Sequence, residues 1–150
     1  MTGEAPIGVF DSGLGGLTVV RSLLDLVPGE SILYFGDSGR FPYGPKRRDE
    51  VVKYALEIGD LLVDRGARAV VVACNSAAAA ALDVLDDRLP VPVIGVIEPG
   101  VRAAARVSRS GRVGVIGTVG TVASGAYQRA AAGVDPTLAL VCAACPGFVE

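Results

Sequence analysis

The sequence predicts an α/β fold, a parallel sheet flanked by helices. Short β-branched runs alternate with longer stretches at helical spacing, the pattern of strand-helix units. The short runs are apolar without alternation, as strands covered on both faces are. Polar and glycine residues gather directly after the runs, where open α/β sheets bind their ligands.

Strands are expected at residues 7–10, 32–35, 69–73, 93–96, 113–116 and 138–142. Leu17, Val20, Leu24 and Val27 make the stripe of a first helix, which Pro28-Gly29 stops. Val51, Val52, Ala55, Leu56, Gly59, Leu62 and Val63 mark a second, ending at Gly66. A third opens on Ala77–Ala81, continues through Leu82, Leu85 and Leu89, and stops at Pro90. Alanine has the best helix propensity and lets that helix sit close to its neighbours. Glu98-Pro99 either touches the cleft or begins a helix. Arg102, Arg106 and Arg109 recur at helical spacing and read as an exposed face, and Lys46-Arg47-Arg48 reads as a solvated helix start. The chain stops at Glu150, straight after a strand and a Pro-Gly, with no helix to cover that strand, so a truncated sequence is expected.

Composition narrows the chemistry. Hydrophobic residues make up 51% of 150 residues, too many for a disordered chain. Fourteen Lys and Arg against 16 Asp and Glu give a net charge of -2, which argues against nucleic-acid or membrane-surface partners. Histidine is absent. Ser-His-Asp hydrolysis, Cys-His proteolysis and His-based metal sites are therefore excluded within these residues. The start carries Glu4 and no positive charge, unlike a secretory or transit peptide, and three cysteines read as reduced thiols. The apolar tract around 69–82 is broken by Asn75 and Ser76 and falls short of the roughly 20 residues that span a bilayer. A cytoplasmic chain is expected.

The candidate chemistry sits after the strands. The first loop, Asp11-Ser12-Gly13-Leu14-Gly15-Gly16, offers backbone N–H groups to an anion such as a carboxylate or phosphate, or is simply a tight turn. Asp11 beside such a site calls for a cation or a proton to handle. The second loop carries Gly36-Asp37-Ser38 and Pro42-Tyr43-Gly44, the third Cys74-Asn75-Ser76, and the fifth Gly117-Thr118 with Thr121 close behind. All four are expected along one sheet edge. Cys74 is the strongest candidate. It falls where strand gives way to helix, with Asn75 or Ser76 as N-cap, and the helix terminus should favour its thiolate. The alternative is a buried structural cysteine. Cys142 and Cys145 form a C-x-x-C, but too few ligands remain for a zinc site, and no metal is expected. Cys142 reads as an inward strand residue, and Cys145 as a border of the site.

Five blocks then carry a family resemblance. Ile7 to Val19 (IGVFDSGLGGLTV) resembles the amino-terminal signature of glutamate racemases. Tyr34-Phe35-Gly36-Asp37 with Pro42-Tyr43-Gly44 is similar to their second block, and Val72-Ala73-Cys74-Asn75-Ser76-Ala77 to the block holding their first catalytic cysteine. Gly114–Thr118 with Thr121, Ser124 and Tyr127 resembles a fourth block, and Cys145-Pro146-Gly147-Phe148-Val149 a fifth. The resemblance implies a cofactor-independent racemase interconverting L- and D-glutamate for peptidoglycan. It implies Cys74 as the base serving the D-enantiomer and Asp11 as its assistant. Ser12, Tyr43, Gly44, Asn75, Ser76, Thr118 and Thr121 match substrate-contacting positions. It further implies two pseudosymmetric α/β domains. Residues 1–97 would form the first, and 98–150 the start of a second, cut short. The partner expected is a small molecule, glutamate, with a homodimer left open. The family's second cysteine lies in a Gly-Cys-Thr-His block that these residues do not contain, so this stretch alone is not expected to turn over. A related aspartate or hydantoin racemase, a non-catalytic module binding an acidic metabolite or phosphate, and a thiol-redox protein remain as alternatives.

Overall fold

A computed structural model describes residues 5–148. The amino-terminal residues read above for a leader, and Val149 and Glu150, lie outside the described residues. Among the described residues, six strands alternate with helices. They are β1 (Ile7–Asp11), α1 (Leu17–Leu26), β2 (Ile32–Gly36), α2 (Arg48–Asp64), β3 (Ala69–Val72), α3 (Asn75–Arg88), β4 (Val93–Gly95), α4 (Ile97–Val107), β5 (Arg112–Gly117), α5 (Val119–Ala123), α6 (Ala126–Val134) and β6 (Ala139–Ala144), followed by a 3-10 turn at Pro146–Phe148.

All strand pairs are parallel, but they form two sheets. One has four strands in the order β2-β1-β3-β4; the other pairs β5 with β6. The loops after β1, β2 and β3 therefore share an edge, while the loop after β5 reaches them from the second sheet. This corrects the expectation of one edge for all four. Strand runs in sequence do not encode which strands pair.

On one face of the larger sheet, α2 and α3 pack tightly. Val51, Ala55, Ile58 and Leu62 meet Ala77, Ala78, Ala81 and Leu85, all buried. A Cβ on Gly59 would stand 3.0 Å from both Leu85 Cδ2 and Leu89 Cδ1, so the helices approach as closely as the small residues allow. The opposite face carries α1 with a different stripe from the one expected. Val19, Val20 and Leu23 pack onto Val9, Val71 and Ala73, while Leu17, Leu24 and Val27 are exposed. The helix is apolar over more than one face, and tertiary contact selects which face turns inward. The core continues from α3 through Ile97, Val101, Ala131 and Leu138 to the second sheet. There β5 and β6 alternate half-buried and exposed residues along most of their length, so the expected two-sided cover is absent from this sheet among the described residues.

Arg102 and Arg106 lie exposed on α4, whereas Arg109 falls past its end. Among the described residues, no helix is long and apolar enough to cross a membrane.

Candidate functional site

Cys74 closes β3's exit and is itself the N-cap of α3, with extended backbone; the helix begins at Asn75. Neither Asn75 nor Ser76 takes the cap role expected for it. The thiol is buried and donates to Ser12 Oγ at 3.3 Å. Burial pushes its pKa above the usual thiol range, although the Ser12 hydroxyl and the backbone N–H groups of Ala77 and Ser12 pull the other way. Asp11 nearby adds to the rise. The lowered pKa expected from the helix terminus is thus overturned: desolvation of the sulfur outweighs the helix-terminal amides.

Asp11 ends β1, buried. Its Oδ2 accepts from the N–H groups of Gly13 at 3.2 Å and Gly16 at 2.9 Å. The next amides, of Leu17, Thr18 and Val19, bond back to the carbonyls of Leu14, Gly15 and Gly16. The glycine-rich loop therefore binds an anion, but the anion is its own side chain. Tyr34 ties the loop down by donating from its hydroxyl to the Gly13 carbonyl at 3.0 Å.

The second loop is held by an acid that sequence reading did not assign. Asp37 is buried and its N–H bonds to the Asp11 carbonyl at 2.8 Å. Its carboxylate accepts a short bond from the Tyr43 hydroxyl and another from Arg40 Nε at 2.6 Å. Arg40 also reaches Glu57 at 2.6 Å and stacks over the Tyr54 ring, 4.3 Å from its centroid. Burial first, then the bond to Asp37, raises the Tyr43 pKa far above the phenol range, so the hydroxyl stays a donor. Asp37 stands one residue past its strand, beside the end of β1, which is the signal that could have singled it out.

Gly44 brings the two sheets into contact. A Cβ there would sit 2.7 Å from Thr118 Cγ2, so only glycine lets the loop approach this closely. Thr118 is the N-cap of α5, its Oγ1 accepting from the Thr121 N–H. Ser76 Oγ lies 3.1 Å from Thr118 Oγ1, which donates to Thr121 Oγ1 at 3.0 Å. Asn75 Oδ1 accepts from the Tyr127 hydroxyl at 2.7 Å. A cavity of about 220 Å³ opens here, lined by Asn75, Gly117, Thr118, Thr121, Tyr127 and Cys145. A second of about 230 Å³ lies on the other side of Ser76, against Tyr43, Gly44, Lys46 and Arg48.

Asp11, Ser12, Tyr43, Gly44, Cys74, Asn75, Ser76, Thr118 and Thr121 thus converge where the carboxyl ends of the two sheets meet. Tyr43 turns its hydroxyl to Asp37 and lines the second cavity. Cys142 lies within β6, half-buried, and receives a bond from Gln128 at 3.3 Å. Among the described residues, no group of three Cys, Asp or Glu is placed to hold a metal ion. A thiol with hydroxyl and amide donors around it, beside a carboxylate and a row of hydroxyls, suits proton transfer to or from a small polar molecule.

A family model described as Asp/Glu/Hydantoin racemase matches residues 7–146. A glutamate racemase of Corynebacterium kroppenstedtii is 54% identical over 97% of this chain and 51% of its own length. The glutamate racemase isoform RacE1 from Bacillus anthracis superposes with a TM-score of 0.92 at 48% identity, over 96% of this chain and 54% of that one. The glutamate racemase from Francisella tularensis, solved in complex with D-glutamate, gives 0.87 at 40% identity, over 96% and 54%. The chain spans about half the length of the relatives it matches, and it belongs to the Asp/Glu/hydantoin racemase family.

Proposed function

We propose that the protein is a glutamate racemase, with Cys74 as the base that removes the α-proton of D-glutamate. The observation that carries this reading is the setting of one sulfur. Cys74 lies at the strand-helix junction, against Ser12, with Asp11 beside it and the amides of Ser12 and Ala77 pointing at it. Named relatives that share about half its residues point to the same substrate.

The proton balance is simple. The Cys74 thiolate takes the α-proton and becomes a thiol; the α-carbon holds the electron pair. A group on the opposite face returns a proton there, giving the other enantiomer. By the same reading that group is the thiol of the Gly-Cys-Thr-His block outside these residues. No cofactor takes part in this scheme. The thiolate is disfavoured by burial, so the Ser12 hydroxyl and the two amides serve to hold it for the moment it is needed. Asn75, Ser76, Thr118 and Thr121 supply donors for the substrate's carboxylates, and Gly44 its close backbone approach. Asp11 assists Cys74. We also place a domain boundary at 97/98, at the start of α4 (Ile97–Val107), the helix that leads from the four-stranded sheet to the two-stranded one. A cytoplasmic enzyme, dimeric or not, would supply D-glutamate to wall precursors.

The test is proton exchange in deuterated water by the full-length gene product. Deuterium should enter the α-position of glutamate, and Cys74→Ala should slow this by about 10²–10⁴-fold or more. Exchange into aspartate or a hydantoin instead would move the protein to another branch of the family. Exchange into D-glutamate that survives Cys74→Ala would refute the assignment of the base.

A further inference from the structure

The reading of function leaves one hydroxyl unused. Tyr127, near the start of α6, donates to Asn75 Oδ1 at 2.7 Å across the junction of the two sheets. An amide side chain has one accepting end and one donating end. With its oxygen taken by Tyr127, Asn75 is left to present Nδ2 and its two protons. Asn75 is the first residue of α3, exposed, next to Cys74, and lines the 220 Å³ cavity together with Tyr127.

The chain spends several features on placing Tyr127. Gly125 adopts φ +68° as the N-cap of α6, a left-handed conformation that glycine accepts without strain. Ser124 donates to the Thr121 carbonyl at 2.6 Å and accepts from the Ala126 N–H at 3.1 Å. Arg129 reaches back to the Ser124 carbonyl at 2.7 Å. The corner between α5 and α6 is thereby fixed, and α6 starts over the amino end of α3. Burial raises the Tyr127 pKa above the phenol range, so the hydroxyl keeps its proton.

We infer that Tyr127 is a positioning residue that locks the Asn75 amide with its N–H₂ toward the cleft, making Asn75 a dedicated donor to an anionic group of the substrate. The inference rests on the glutamate reading and names the device that gives the cleft its preference for a carboxylate at that point. An unlocked amide could turn its oxygen toward the same carboxylate and repel it.

The experiment uses the full-length gene product and the variants Tyr127→Phe, Asn75→Ala and their combination, with L- and D-glutamate. Loss of one oriented hydrogen bond predicts a rise in KM of about tenfold for Tyr127→Phe, with kcat within about threefold. In the Asn75→Ala background, the same change should leave KM within about twofold. Additive effects, or an unchanged KM in Tyr127→Phe, would overturn the inference. Should Tyr127→Phe fail to fold, Asn75→Asp tests the pair from the other end. It keeps an acceptor for Tyr127 and loses the N–H₂, so KM should rise while Tm holds; an unchanged KM overturns the proposal. If the wild-type protein turns over no glutamate, the functional reading fails separately. The lock is then read from the side-chain amide signals of Asn75 in an NMR spectrum, which Tyr127→Phe should shift; signals that stay put reject it.

Discussion

β3 reads Ala-Val-Val-Val, and three of its four residues are buried; β6 reads Ala-Leu-Val-Cys-Ala-Ala, and none of its six is. Both are continuous apolar runs. β3 lies inside a four-stranded sheet with α1 on one side and α2 and α3 on the other, whereas β6 has one neighbour and helices on one side. An apolar run states what a strand can tolerate, and the number of layers around it decides what is covered. Val141 is 66% exposed and Ile116 is 62%, although sequence alone gives them the same standing as Val70 and Val72.

The comparison can be broken most forcefully from its buried side. Leu85→Ala removes a fully buried side chain from the α2–α3 seam and should cost about 2–5 kcal/mol in urea unfolding of the chain. A cost below about 1 kcal/mol would erase the contrast between the sheets. Gly44→Ala acts where they meet. Its new methyl collides with Thr118 and should cost about 1–3 kcal/mol by the same measurement.

The thiols sharpen the contrast through pH. Cys74 is buried, while Cys142 and Cys145 are half-buried. Because burial raises its pKa, the Cys74 thiolate becomes plentiful only above the ordinary thiol range. Alkylation at pH 8, followed by peptide mass mapping, should consume Cys142 and Cys145 first. Cys74 labelling should gain about tenfold per pH unit and still be climbing past pH 9. Fastest labelling of Cys74 at neutral pH would contradict its burial. The smallest effect belongs to the open face. Val141→Thr should change stability by no more than about 0.5 kcal/mol, and a cost above 2 kcal/mol would show that face to be covered.

Strand positions were legible because β-branched runs between glycines and prolines announce themselves, and the place of Cys74 between strand and helix was legible because it follows one. The partition into two sheets was not, since pairing is a tertiary choice. The stripe of α1 was misread because Val19 and Leu23 compete with Leu17 and Leu24 for the inward face. The direction of the Cys74 pKa was misjudged for a related reason: the helix terminus is visible in a sequence, and the depth of the sulfur is not. Asp37 offers only its place one residue past a strand, and Tyr127 acts through a partner 52 residues away, a distance over which local pattern carries no signal.

The carboxylate of Asp11 gives the first loop a permanent tenant. A free phosphate arriving from solution would compete against a guest tethered by its own backbone, whose local concentration dilution cannot lower. Mimics of nucleotides should accordingly find no purchase at that loop, and compounds aimed at this cleft should be built around the sulfur and the hydroxyls opposite it.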